Sequence, residues 1–265
     1  MCKDLVLIEL FKLKKSKSFL FGVLTISVFP LLMAIVIAAD SYVGIANQSV
    51  LTWIVTQLYN ANVLYIAPTF FIITCSNFLA KEIDDRSIEP YISMMNSRKE
   101  IYKAKVISLT IFATIVFLVV IIMLIAMYYI LVNRNAKVAS GLLFEDKYVI
   151  EQTIALAVLF LYNSIIIPSI ATSLGVFFKP LPTISIFVAV IVISQYLHLF
   201  AGVVKYISPW SYVVELVEPI RASANQPFAN HSLAVSYLFL TLFITVFFGT
   251  VSYKLGVKRF SSRDL

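Results

Sequence analysis

Residues 80–105 read AKEIDDRSIEPYISMMNSRKEIYKAK, and the fold turns on what these residues can and cannot enter. The stretch carries Lys81, Glu82, Asp84, Asp85, Arg86, Glu89, Arg98, Lys99, Glu100, Lys103 and Lys105, while the runs on either side are almost free of charge. A charge at the centre of a bilayer costs about 2.5–3.5 kcal/mol even on a lenient insertion scale. The stretch therefore lies outside a membrane that its neighbours cross. It is no plain solvated loop, however. Asp84 or Asp85 can cap a short helix, and Ile88, Tyr91, Ile92 and Met95 recur at the spacing of one apolar helix face. A face of that kind is pressed against something, either the membrane surface or another protein.

The composition of all 265 residues agrees. Hydrophobic residues make up 60% and charged residues 13%, with a mean hydropathy of +0.93; a soluble domain carries about 25% charged residues. The chain reads as an all-α integral membrane protein and as one domain over residues 1–265. Six apolar runs are long enough to span: 19–39, 59–79, 106–132, 150–178, 181–204 and 233–253. Each reaches the roughly 20 residues that cross about 30 Å of hydrocarbon. Pro30, Pro68 and Pro168 sit inside these runs and predict kinks. The basic start and the long run after it, with no clean small-residue cleavage site, do not read as a cleavable signal peptide.

Lysine and arginine set the orientation. With the N-terminus inside, the inner segments hold five (residues 1–18), six (80–105), one (Lys179) and four (Lys254, Lys258, Arg259, Arg263) of the 21 basic residues. The outer segments hold only Arg134, Lys137, Lys147, Lys205 and Arg221. Inner loops are enriched in such residues, so both termini are expected in the cytoplasm. The net charge of +7 follows from this topology and does not call for a nucleic-acid partner. Residues 1–18 mix lysines with Leu5, Leu7, Ile8, Phe11 and Leu13, as in a helix lying in the headgroup plane or in the basic flank of a first span. In the outer loop 205–232, Ser208-Pro209-Trp210 reads as a helix start. Trp210, Val213, Val214 and Val217 form an apolar face, Glu215 and Glu218 lie opposite, and Pro219 is the expected stop. That helix lies on the outer surface or dips into it, unless Trp210 is an interfacial anchor.

Chemistry of its own is not visible. The chain has no Gly-Lys dipeptide, so it lacks the phosphate-cradling loop of an ATPase. Cys2, Cys75, His198 and His231 form no ligand cluster by spacing, and no catalytic or metal-binding residue is assigned. No charged residue sits in mid-span to couple a proton or sodium gradient, so energy comes from another polypeptide. Polar residues within spans (Asn62, Thr69, Asn77, Asn163, Ser169, Thr172) are candidates for a substrate path, with helix packing as the other reading. Ser164, Pro168, Ala171 and Gly175 make a small-residue strip of the packing kind. A membrane-embedded enzyme or a polytopic anchoring subunit is the rival class, and the enzyme would need convergent ionisable residues, which the sequence does not show.

Glu82, Ser87, Ile88, Ile92, Ser97-Arg98 and Lys105 together resemble the loop between the second and third spans of ABC-2 type permeases, the membrane subunits of ABC exporters. Within that family the loop is most similar to the bacterial group associated with peptide-antibiotic and lantibiotic transport or immunity. Glu82 matches an acidic position after the second span, Ser87 a Thr, Ile88 and Ile92 an apolar patch, and Lys105 the Lys that leads into the third span. Arg86 stands where Gly is usual and Met95 where Pro is usual, and Pro90 interrupts the patch. The resemblance implies a cytoplasmic coupling helix that contacts a separate ATPase through Glu82, Asp84, Asp85, Arg86, Ser87, Ile88, Tyr91, Ile92, Ser97 and Arg98. It also implies an elbow helix at 1–18, a second permease chain, identical or sister, and ATP with Mg2+ on the ATPase. The setting it implies is the bacterial cell membrane, and the cargo an amphipathic or hydrophobic molecule. Antimicrobial or cytolytic peptides lead, followed by small hydrophobic drugs and lipid-linked glycans.

The charge count makes the topology testable. A single cysteine at Asn135 or Asn225 is expected to react with an impermeant reagent outside intact cells, and one at Ser93 is not. Labelling at Ser93 from outside overturns the orientation.

Overall fold

The structure, a computed structural model, describes residues 2–39, 48–90, 97–144, 148–200, 202–222 and 231–262. Among them stand nine helices of more than ten residues: α1 (Cys2–Lys15), α2 (Ser18–Ala38), α3 (Val50–Val63), α4 (Ile66–Asp84), α5 (Arg98–Ile130), α6 (Val149–Phe177), α7 (Pro180–Tyr196), α8 (Pro209–Ala222) and α9 (His231–Ser262). Six of these, α2, α4, α5, α6, α7 and α9, are long and apolar enough to cross a membrane. The described residues contain no strand, only a single bridge between Gln48 and Ala139.

The second span differs from its sequence reading. The run 59–79 is divided between two helices, because Tyr65 adopts a left-handed φ of 58°. That conformation ends α3 and restarts the chain as α4. Pro68 therefore falls in the first turn of α4, where its missing N–H would have had no helical partner. Asn62 belongs to α3, not to a span. Ser49 caps α3 by accepting from the Thr52 amide at 3.2 Å. The helix is buried along nearly its whole length, and the indole of Trp53 donates to the Leu124 carbonyl at 3.2 Å. Pro168 has a different effect. It removes the bond to the Ser164 carbonyl four residues back, and the helix widens into a π turn over Tyr162–Ile166. A second π turn, Ser76–Ala80, interrupts α4. Polar residues gather at both (Asn163, Ser164; Ser76, Asn77). In the outer loop, α8 runs on past Pro219 to Ala222; a proline this close to the helix end forfeits one backbone bond and no more.

Helix α5 is the spine and packs against α1, α2, α3, α6 and α9. At one end of the bundle, here the basic end, α1 crosses α5 where α4 and α9 finish. A small core there joins Leu79, Ile83, Ile88, Ile101, Tyr102, Val176 and Phe260, set apart from the main core. The ring of Tyr102 lies 5.9 Å from those of Phe260 and Tyr253. Gly256 makes room for it, since an added Cβ would sit 1.9 Å from the Tyr102 hydroxyl.

Beside this core is a closed ring of charge. The Lys105 ammonium, 1% exposed, meets Glu82 at 2.6 Å and Glu9 at 3.1 Å. Lys12 meets the other oxygen of each carboxylate, at 3.3 Å and 3.2 Å. The face of Phe78 lies 4.5 Å from the Lys105 nitrogen, a favourable cation–π approach. Two cations and two anions thus neutralise each other across α1, α4 and α5. Removing one member of a buried set strands a charge and costs about 3–5 kcal/mol, far more than the net worth of the pair. Lys105→Met is therefore expected to lower the melting point of the purified chain sharply. Combining it with Glu9→Gln, which leaves Lys12 and Glu82 as a neutral pair, is expected to restore much of the loss. Equal destabilisation of the single and double variants would show that charge balance is not what holds this joint.

Candidate functional site

A charged, exposed surface is built where α4 ends. Asp84 and Asp85 close α4 and do not open a new helix: the Asp85 amide bonds the Lys81 carbonyl at 2.8 Å, and the Arg86 amide bonds that of Ile83 at 3.3 Å. Arg86 then takes a φ of 56°. This is the left-handed region that costs an L-residue about 1–2 kcal/mol and that glycine enters freely. The position where the family pattern has Gly is thus one whose backbone calls for it. The turn closes as the amide of Ile88 and the hydroxyl of Ser87 reach the Glu82 carbonyl at 3.3 Å and 3.4 Å.

The sequence-predicted contact residues separate into two groups. Glu82 turns inward to the charge ring, and Ile88 is fully buried in the small core. The apolar patch therefore begins as an internal contact of this chain, because Ile88 has Leu79, Ile101, Tyr102 and Phe260 to pack against. Asp84, Asp85, Arg86 and Ser87 face outward. Asp84 pairs with Lys179 in the α6–α7 connection at 3.3 Å, and Arg86 with Glu89 at 3.7 Å, both well exposed. Ser97 precedes α5 without a side-chain cap, and Arg98 donates to the Ser261 carbonyl at 3.5 Å, near the end of α9. Tyr91 and Ile92 lie outside the described residues.

The six polar candidates for a path also divide. Thr69 and Asn77 line a cavity of about 700 Å3 between α2 and α4. Asn62, Asn163, Ser169 and Thr172 are buried. Asn62 donates to the Leu58 carbonyl and Asn163 to that of Leu159, at 2.8 Å and 2.9 Å, while the hydroxyl of Thr172 bonds the Pro168 carbonyl at 2.7 Å. These four sit within the packed protein and do not line that cavity. The small-residue strip also packs, with Gly175 set directly against Ala80.

At the far end of the bundle, α8 dips inward. Its first residues are held by Ser208, whose hydroxyl accepts from the Trp210 amide at 3.2 Å and lies 2.6 Å from that of Ser194. Trp210 is 2% exposed. It stacks on Tyr59 at 5.3 Å and approaches Tyr162 at 6.0 Å. Tyr162 lies thirteen residues into α6, or about 20 Å at 1.5 Å per residue. Trp210 is consequently an internal packing residue and not an interfacial anchor. The polar face of α8 is partnered as well. Glu215 accepts from Lys205 at 2.6 Å and from the Tyr237 hydroxyl, and Glu218 from the Tyr59 hydroxyl at 2.8 Å. The Glu215 carboxylate, with Tyr206 beside it, holds the Lys205 ammonium above its ordinary pKa. Sequence reasoning missed these pairs and the charge ring, in which Lys105 meets partners 23 and 96 residues away.

Among the described residues no three His, Cys, Asp or Glu side chains gather as a metal site. What the arrangement offers is mechanical. It has a solid joint at the basic end, an outward charged turn on that joint, and a bundle against which α8 packs at the other end.

Residues 5–196 match the family model described as ABC-2 family transporter protein, a match that ends where α7 ends. No curated protein matches the chain. With six membrane-crossing helices and a match over most of its length, the chain belongs to the ABC-2 family and is a multi-pass permease subunit of an ABC transporter.

Proposed function

We propose that this permease exports an amphipathic or hydrophobic molecule across the bacterial plasma membrane, driven by a separate cytoplasmic ATPase that docks on residues 84–87 and the turn beyond. Both termini and the basic end face the cytoplasm. ATP and Mg2+ bind the ATPase, and a second permease chain, identical or sister, completes the pathway. The observation that carries this reading is the joint at the basic end. The outward turn is fastened through Ile83 and Ile88 to α5, α6 and α9, and through Glu82 to α1 and α5. A push on that turn moves four helices together, because packed interiors transmit displacement and do not absorb it. Two conformations of the bundle can then be biased by the nucleotide state of the ATPase.

Helix α1 suits the elbow in this arrangement. Leu5 and Leu13 are buried against the bundle, whereas Leu7 and Phe11 are 63% and 65% exposed on another face. One face meets protein and the other is apolar and free, which supports a helix lying at the membrane surface. For the cargo, the subgroup resemblance favours antimicrobial or cytolytic peptides over small drugs or lipid-linked glycans.

Because Ile88 is internal, docking is better tested by its exposed neighbours. Asp85→Lys combined with Arg86→Glu is expected to leave the melting of the isolated chain unchanged. The same variant is expected to weaken capture of the ATPase at least about tenfold, a change of roughly 1.4 kcal/mol, and to reduce ATP-dependent export in parallel. Ile88→Asp is expected to unfold the basic end instead. Undiminished capture and export in the exposed double variant would overturn the assignment of the docking surface.

A further inference from the structure

The cavity between α2 and α4 is not explained by docking or by packing. Its mouth is the turn between α1 and α2, where the Ser16 and Ser18 hydroxyls lie 2.7 Å apart. Lys17 between them lines the cavity, is exposed, and adopts a left-handed φ of 58°. Lys14 and Lys15 are exposed just before it. Among the described residues, no Asp or Glu lines the cavity. The mouth is therefore cationic; the Ser16 hydroxyl donates to the Leu13 carbonyl at 2.7 Å and accepts from Ser18, whose proton alone can turn outward.

The interior is apolar on one side and polar on the other. Phe21 and Ile73 are 64% and 38% exposed, so the cavity opens sideways, away from the bundle. Thr74 lines it at 7% exposure, yet its hydroxyl, like the Asn77 amide, makes no hydrogen bond to another described residue. Gly22 lies against the ring of Phe70, and an added Cβ would come within 2.1 Å of it. Since α2 and α4 run antiparallel, this contact sets Thr74 and Asn77 beside the mouth. From Asn77 to Tyr65 at the closed end is twelve residues, or about 18 Å along α4. That is close to the ~15 Å depth of one leaflet's hydrocarbon, half of about 30 Å.

We propose that this cavity holds one anionic phospholipid of the leaflet at the basic end. Its phosphate is bound by Lys17 and by the Ser18 hydroxyl turned outward from Ser16, its ester carbonyls accept from Thr74 and Asn77, and one acyl chain lies along Phe21 and Ile73. The charge at the mouth selects an anionic headgroup, the depth fits a single leaflet, and the sideways opening admits a molecule that is already in the membrane. The assignment rests on the chain being embedded in a bilayer and is independent of the cargo or the ATPase.

The test uses the full chain, purified in mild detergent and examined by native mass spectrometry with added phosphatidylglycerol, phosphatidylcholine or glycerol 3-phosphate. The wild type is expected to retain one phosphatidylglycerol at least about tenfold better than phosphatidylcholine, and to bind glycerol 3-phosphate negligibly. Lys17→Gly removes the charge and relieves the left-handed backbone, so it is expected to fold at least as well while losing the preference. Thr69→Phe, which fills the cavity, is expected to lose retention of the lipid with Lys17 intact. Equal retention of the two lipids, a preference that survives Lys17→Gly, or tight binding of glycerol 3-phosphate alone would each overturn the proposal. So would efficient disulfide cross-linking between two copies through a cysteine at Thr25, which would mean that protein covers the cavity.

Discussion

An ammonium ion with almost no access to water, held between two carboxylates, governs this molecule. Lys105 sits where the third span leaves the charged stretch and is 1% exposed. Desolvating a charge costs several kcal/mol unless geometry and partners restore it. Glu9 comes from the first helix and Glu82 from the end of the second span, so the requirement to satisfy one lysine brings three distant segments to one point. The small core around Tyr102 and Ile88 then fills in beside them. With the joint formed, the exposed turn at 84–87 is set in a fixed place relative to the bundle.

The two ends of the molecule are built differently. The basic end depends on charge balance and a compact apolar cluster. The far end depends on aromatic stacking and hydroxyl contacts, with Trp210 against Tyr59 and Tyr162, and Glu215 and Glu218 accepting from tyrosines. Between them, π turns in α4 and α6 fall at the polar stretches of those spans. Such turns widen a helix locally and often mark functional positions. Here one of them follows directly from Pro168.

Much of the fold was legible because bilayer physics writes long patterns: the apolar runs of α2, α5, α6, α7 and α9 announced themselves by length. The run at 59–79 misled because hydropathy does not register a single left-handed residue such as Tyr65, and a buried helix such as α3 is as apolar as a span. The stripe containing Ile88 correctly signalled burial, but periodicity does not say against what. Glu82 and Lys105 could be singled out by their places in the motif, whereas Glu9 and Lys12 could not. Nothing local distinguishes a lysine that will close a ring of charge from the lysines beside it. Arg86 gives the opposite case, since the mismatch to the family's glycine was visible in the letters and its meaning appeared only in the backbone angle.

The spacing of the ring's members also bears on how the protein is made. Glu9 and Lys12 leave the ribosome first, and Lys105 follows Glu9 by 96 residues. At roughly 5–20 residues per second, that is about 5–20 s of translation. Throughout that interval the first helix has no lysine at position 105 to dock on, and two spans are already passing into the bilayer. The first helix therefore lacks this partner for that whole stretch of synthesis. It takes its final place only when the third span arrives.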